Sequence, residues 1–153
     1  MKKTLVAILM AALVLSMFCG SALAAVGDIT IKDAKVYSDP AMTVYLGTIP
    51  AYTALVVRSY DSFADVYVDG KIAYISNSTL LDKDIPAKYT AKLYKGTRVY
   101  QQATTTANSY KLRKSGTVKV CGVSGDWALV QSTGSKGYYA FVKIEKLKDI
   151  KIV

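Results

Sequence analysis

The chain repeats itself. With an offset of 63 residues, Val36-Tyr37 falls on Val99-Tyr100, Ile49 on Leu112, Leu55 on Val118 and Val57 on Val120. One residue inserted near the Ser62/Gly125 turn changes the offset to 64, after which Phe63 falls on Trp127, Ala64 on Ala128, Val66 on Val130, Gly70 on Gly134 and Tyr74 on Tyr138. A register held over that length marks two copies of one structural unit, residues 25–85 and 86–153, with the boundary near Asp84-Ile85-Pro86.

Both copies read as β-structure. Short runs of Val, Ile, Tyr and Thr are broken by Gly or Asp, and no segment sustains a helical period. Asp69-Gly70, between Tyr67-Val68 and Lys71-Ile72, predicts a two-residue type I′ hairpin. Such a turn pairs Val68 with Lys71, Tyr67 with Ile72, Val66 with Ala73 and Asp65 with Tyr74. Ala64, Val66, Ala73 and Ile75 then share a core face, and Phe63, Asp65, Tyr67, Ile72 and Tyr74 share the outer one. At the 64-residue offset the core face of the second copy holds Ala128, Val130, Gly137 and Tyr139, and its outer face holds Trp127, Leu129, Gln131, Lys136 and Tyr138. A face that accepts Asp65, Gln131 and Lys136 is mostly wet. The expectation is an outer aromatic cluster in each hairpin, Phe63 with Tyr74 and Trp127 with Tyr138.

The first 24 residues belong to export rather than to the fold. Lys2 and Lys3 precede an apolar run from Leu5 to Phe18, and Ala22-Leu23-Ala24 supplies a small-residue cleavage site. The run is shorter than the roughly 20 residues a membrane-spanning helix needs. Phe18 directly before Cys19 argues against lipid attachment there. After cleavage the expectation is a secreted or periplasmic, envelope-associated chain in which Cys121 is the single cysteine, excluding an intramolecular disulfide. Cys121 reads as a small half-buried apolar side chain, with pairing between chains as the other reading.

The chain has no histidine, which removes Ser-His and Cys-His nucleophilic machinery and the commonest transition-metal ligand. Asp82 and Asp84 read as a solvated boundary turn. Asp61, Asp65 and Asp69 sit at four-residue intervals that build no single ligand cage on a strand. No cofactor, no metal and no enzyme activity is expected.

Several stretches resemble bacterial SH3-type domains. In the first copy they are Tyr37-Ser38-Asp39-Pro40, Leu46-Gly47-Thr48-Ile49, Leu55-Val56-Val57, Phe63-Ala64-Asp65-Val66 and Asp69-Gly70-Lys71-Ile72-Ala73-Tyr74-Ile75. In the second they are Val99-Tyr100, Leu112, Gly116-Thr117-Val118-Lys119-Val120, Gly125-Asp126-Trp127-Ala128-Leu129-Val130 and Gly137-Tyr138. The resemblance implies an all-β fold of two tandem, partly open small barrels of about five strands each. It also implies a non-catalytic module that binds cell-wall peptidoglycan or its peptides, and with Leu147–Val153 closing the second copy no catalytic domain is expected after it. The same surfaces meeting another chain, as an adaptor or structural protein of the envelope, is the alternative. On either reading the contact residues are Tyr37, Phe63, Tyr67, Tyr74, Tyr100, Trp127 and Tyr138. Twelve tyrosines against three phenylalanines favour such a wet aromatic surface.

Charge divides the copies. Residues 25–86 carry five basic and eight acidic side chains, a net −3, whereas residues 87–153 carry thirteen basic and three acidic ones, a net +10. Lys111, Arg113, Lys114, Lys119 and Lys136 are the expected contacts to an anionic envelope polymer or to acidic head groups, since net charge bears on association. Nucleic acid is a poor partner for an exported chain.

Overall fold

The computed structural model describes residues 25–68, 71–81, 85–134 and 137–153. The leader, the Asp69-Gly70 turn, Asp82 and Asp84 of the boundary turn, and Lys136 lie outside the described residues. The fold is all-β, and the chain divides into two compact units, one ending at Asp82 and the other spanning Lys83–Val153. No helix among the described residues is long and apolar enough to cross a membrane.

The first unit contains β1 (Val26–Ile29), β2 (Ala34–Tyr37), β3 (Tyr45–Ile49), β4 (Ala54–Tyr60), β5 (Ala64–Val68) and β6 (Lys71–Ile75). They form one antiparallel, barrel-like sheet in the order β1-β4-β5-β6-β2-β3. The second unit contains β7 (Tyr89–Leu93), β8 (Arg98–Tyr100), β9 (Ser109–Lys111), β10 (Gly116–Ser124), β11 (Trp127–Ser132), β12 (Tyr139–Lys143) and β13 (Lys148–Ile152). Its order, β13-β7-β10-β11-β12-β8-β9, repeats that of the first unit and adds β13 outside β7. The strand totals of six and seven exceed the expected five. The short opening segments of the copies, β1 and β7, pair with β4 and β10, and Lys148–Ile152 at the end of the second unit adds an edge strand beside β7.

Alternation explains the packing. In Ala64-Asp65-Val66-Tyr67-Val68 every second residue is buried, and Val66 faces Ala73 in register while Ala64 faces Ile75. The pairing from Asp65↔Tyr74 to Val68↔Lys71 is the register a two-residue connection sets. Ala64, Val66, Ala73 and Ile75 join Val36, Val57 and Leu80 in the first core. Ala91, Leu93, Val99, Val120, Ala128, Val130, Val142 and Leu147 form the second. A single 3-10 turn in each unit, Asn77–Thr79 or Ile144–Lys146, is followed by a core leucine, Leu80 or Leu147.

The second hairpin departs from the expected register. Val130 faces Ala140 and Ala128 faces Val142, so the residues matching Ala73, Tyr74 and Ile75 are Ala140, Phe141 and Val142. The connection after β11 is three residues longer than its counterpart, and a hairpin tip takes such an insertion cheaply. Because three is odd, the shift turns every later side chain to the opposite face. Tyr139, expected on the core face, lies opposite Gln131 on the other face, where it is buried all the same at 6 % exposed, and Ala140 and Val142 take the inner positions. Gln131 is not wet. It is 3 % exposed because the longer connection folds over it, and its Nε2 donates to the Gly137 carbonyl at 3.2 Å.

Gly137 holds this fold-back. Its φ is +56°, and a Cβ there would lie 2.8 Å from Gln131 Nε2. Gly137→Ala should cost about 1 to 2 kcal/mol from the left-handed backbone alone, with more from displacing the Gln131 amide. Denaturant melts of the two proteins check this, and an unchanged midpoint would rule it out.

In the first unit the β2–β3 loop is built on Asp39. Its carboxylate accepts the backbone N–H groups of Thr43 and Val44, the latter at 2.7 Å, and the Thr43 hydroxyl at 2.9 Å. The Thr43 and Val44 amides hold the Asp39 carboxyl below its usual value of 3.8. A lowered folded value means that this contribution is complete above about 3.8 and is lost as pH falls through the folded value. Protection of the Thr43 and Val44 amides, taken relative to their intrinsic exchange rates, should therefore fall on acidification below that range, and Asp39→Asn should remove the acid dependence.

Candidate ligand-binding faces

A row of aromatic rings crosses the outer face of the first sheet. Tyr45 on β3 stands opposite Tyr37 on β2, and Tyr37 stands opposite Tyr74 on β6. Phe63, just ahead of β5, meets Tyr74 edge-to-face at 5.2 Å, and Tyr37 meets Tyr45 at 6.0 Å, also edge-on. Such contacts fix the rings as a unit. Tyr45 is 54 % exposed, with its hydroxyl 2.7 Å from Thr48 Oγ1. Asp65 is opposite Tyr74 and sets a carboxylate beside the row. Tyr67, on the same face, lies opposite Ile72 toward the far end of the hairpin.

The second sheet carries the same row with different chemistry. Tyr100 is opposite Phe141, and Trp127 meets Tyr100 edge-to-face at 5.1 Å. Lys143, cross-strand from Trp127, places Nζ 4.4 Å from the Trp127 ring centre and 3.8 Å from Asp126. Ser109 stands opposite Tyr100, where the first unit has Tyr45 opposite Tyr37. Leu129 is opposite Phe141, where the first unit has Asp65 opposite Tyr74. The first row is therefore aromatic beside an acid, and the second is aromatic beneath a cation.

Tyr138 is not part of either row. Its carbonyl accepts from Ser132 N at 2.8 Å and its N–H donates to Ser132 Oγ at 3.0 Å, five residues along β11 from Trp127. That is a separation of roughly 17 Å. Burial pushes the Tyr138 phenol above its usual 10.0. The expected Trp127–Tyr138 cluster is replaced by Trp127 with Tyr100 and Lys143, for the same three-residue reason that brings Phe141 to the Tyr74 position.

The basic residues fall into separate groups. Arg98 and Lys111 are in register on β8 and β9, and Arg113 and Lys114 follow in the next loop. Lys95 joins them, since its N–H donates to Ser115 Oγ at 2.9 Å. Lys119 lies elsewhere, on β10 opposite Thr90. Cys121 is a half-buried thiol outside any disulfide, at a β-bulge between Val120 and Gly122. Sequence reasoning missed Tyr45, Phe141 and Lys143. The two aromatics carried a readable signal as the partners two-strand pairing sets against Tyr37 and Tyr100, but only after the bulge near Tyr45 and the longer hairpin are known.

No protein-family model matches this chain, and no curated protein is similar to it at a significant level.

Proposed function

We propose that this is an exported, non-catalytic binding protein of SH3-type architecture that holds cell-wall peptidoglycan, through its peptides, on the outer aromatic rows of its two units. The observation that carries this reading is the recurrence of one row at equivalent positions, Tyr37-Tyr74-Phe63 and Tyr100-Phe141-Trp127. Phe141 is buried at 9 % exposed and packs under the second row, so the accessible rings there are Tyr100 and Trp127. Flat rings, with polar tips on Tyr37, Tyr74, Tyr100 and Trp127, suit an extended peptide, giving apolar area without much side-chain entropy to lose. Asp65 beside the first row favours a peptide amine, and Lys143 beside the second favours a peptide carboxylate, so one stem peptide has complementary ends for both chemistries.

Purified sacculi should retain the whole protein, while chitin and immobilised envelope proteins should not. Equal retention on chitin would replace the peptide by the glycan as the recognised part. Retention on envelope proteins alone would replace wall binding by an adaptor role.

A further inference from the structure

The outer face of the second sheet, away from the aromatic row, carries a grid of lysines. On β7, Lys92 is opposite Lys148 of β13 on one side and Thr117 of β10 on the other. Two residues along, Thr90 is opposite Lys151 on β13 and Lys119 on β10. Three adjacent strands thus hold two rows, Lys148-Lys92-Thr117 and Lys151-Thr90-Lys119. Strand spacing makes each row about 10 Å wide and sets the rows about 7 Å apart. Lys119, Lys148 and Lys151 are exposed and Lys92 is half-buried, its Nζ 5.3 Å from the centre of the Tyr94 ring.

Directly opposed like charges oppose sheet pairing, so Lys92 against Lys148 is a cost, and no ion pair among the unit's described residues offsets it. Among the described residues, none of the four lysines has a carboxylate within ion-pair distance. Asp126 is held by Lys143 and Glu145 by Lys146, leaving Asp149 in the β13 bulge. Nor does the fold require lysines here. The matching positions of the first unit are Ile29 for Lys92 and Val56 for Lys119, both buried and uncharged.

We propose that this face docks a linear polymer of phosphodiester-linked units, a second site separate from the aromatic rows and independent of the peptide reading. Ammonium groups bind phosphate oxygens as point charges, and the Thr90 and Thr117 hydroxyls between them donate further bonds. An extended chain laid across the rows meets a cation in each. A lipid surface is a worse match, because it needs apolar side chains on the lysine face. Exposed Ile152 is instead in register with Tyr89, on the other side of the edge strand.

The test measures binding of the whole protein to immobilised poly(glycerol phosphate), with free glycerol phosphate as competitor. Vesicles of equal parts phosphatidylglycerol and phosphatidylcholine form a parallel arm. Wild type should bind the polymer with a log-log salt slope near about −3, the value four released counterions give on a flexible polyanion. The variant K92Q/K119Q/K148Q/K151Q should lose at least tenfold in affinity and most of that slope, and free glycerol phosphate should compete poorly. Its melting temperature should not fall, since the opposed pair is gone, and its retention on sacculi stripped of phosphate polymers should be unchanged. The charge-matched variant K95Q/K111Q/R113Q/K114Q should lose less than the quadruple one. Equal affinity of wild type and quadruple variant for the polymer would overturn the proposal. So would a larger loss in the charge-matched variant, or a loss confined to the vesicles.

Discussion

Replacing Tyr37 and Trp127 with alanine should each weaken retention on peptidoglycan by roughly 1 to 3 kcal/mol, the range of a central aromatic anchor. Tyr138→Ala should leave it unchanged. The contrast follows from position, since Tyr37 and Trp127 sit within the two rows and Tyr138 pairs with Ser132 far along the hairpin. Trp127 also supports the fold through Tyr100 and Lys143, so its removal lowers stability as well. Retention is therefore measured well below the melting temperature and scaled to the folded fraction. Tyr45→Ala separates the effects most cleanly, because Tyr45 is half-exposed and touches little besides the Tyr37 ring and Thr48. It should weaken retention at almost no cost in stability. If folded Trp127→Ala and Tyr45→Ala both hold sacculi as well as wild type, the rows are only packing.

Much of this arrangement was legible in the residues, and the misplaced residues of the second hairpin share one cause. Asp69-Gly70 identified the first hairpin because two-residue loops admit few turn types, and a fixed turn fixes the register on both strands. From there the period of two separated Ala64, Val66, Ala73 and Ile75 from Phe63, Asp65 and Tyr67. The second hairpin carries Ser132-Thr133-Gly134 and Gly137-Tyr138 in its connection, a composition that several loop lengths fit equally well. Aligning Gly-Tyr with Ala73-Tyr74 was chemically reasonable but three residues out. Parity then misplaced Tyr138 and Tyr139 and hid Phe141, while the longer connection covers Gln131 on the face where it was expected. The lysine grid was invisible for a different reason. Lys92, Lys119, Lys148 and Lys151 become neighbours only through the pairing of β7 with both β10 and β13, a contact between the start, middle and end of the unit.

The register also governs the largest stability effect expected here. Ile75, 0 % exposed, faces Ala64 across the hairpin and packs in the first core, and the structure sets Val142 opposite Ala128 at the same place in the second. Ile75→Ala removes three carbons from a closed interior, at about 2 to 5 kcal/mol for the lost burial and the cavity together. At the usual 0.05 to 0.15 kcal/mol per residue, a unit of this size holds only about 3 to 9 kcal/mol in all. The substitution therefore takes a large share of it. Amide exchange on β5 and β6 should quicken by more than tenfold, and the unit should melt far earlier. Val142→Ala removes one methylene fewer, and should cost about 1 kcal/mol less than Ile75→Ala, the typical Ile-to-Val difference. Ile75→Val should recover most of the loss, because its cavity is a single methyl group. Equal costs for Ile75→Ala and Val142→Ala, or a cost below about 1 kcal/mol for either, would mean that the two positions are not the matched core sites that the three-residue shift makes them.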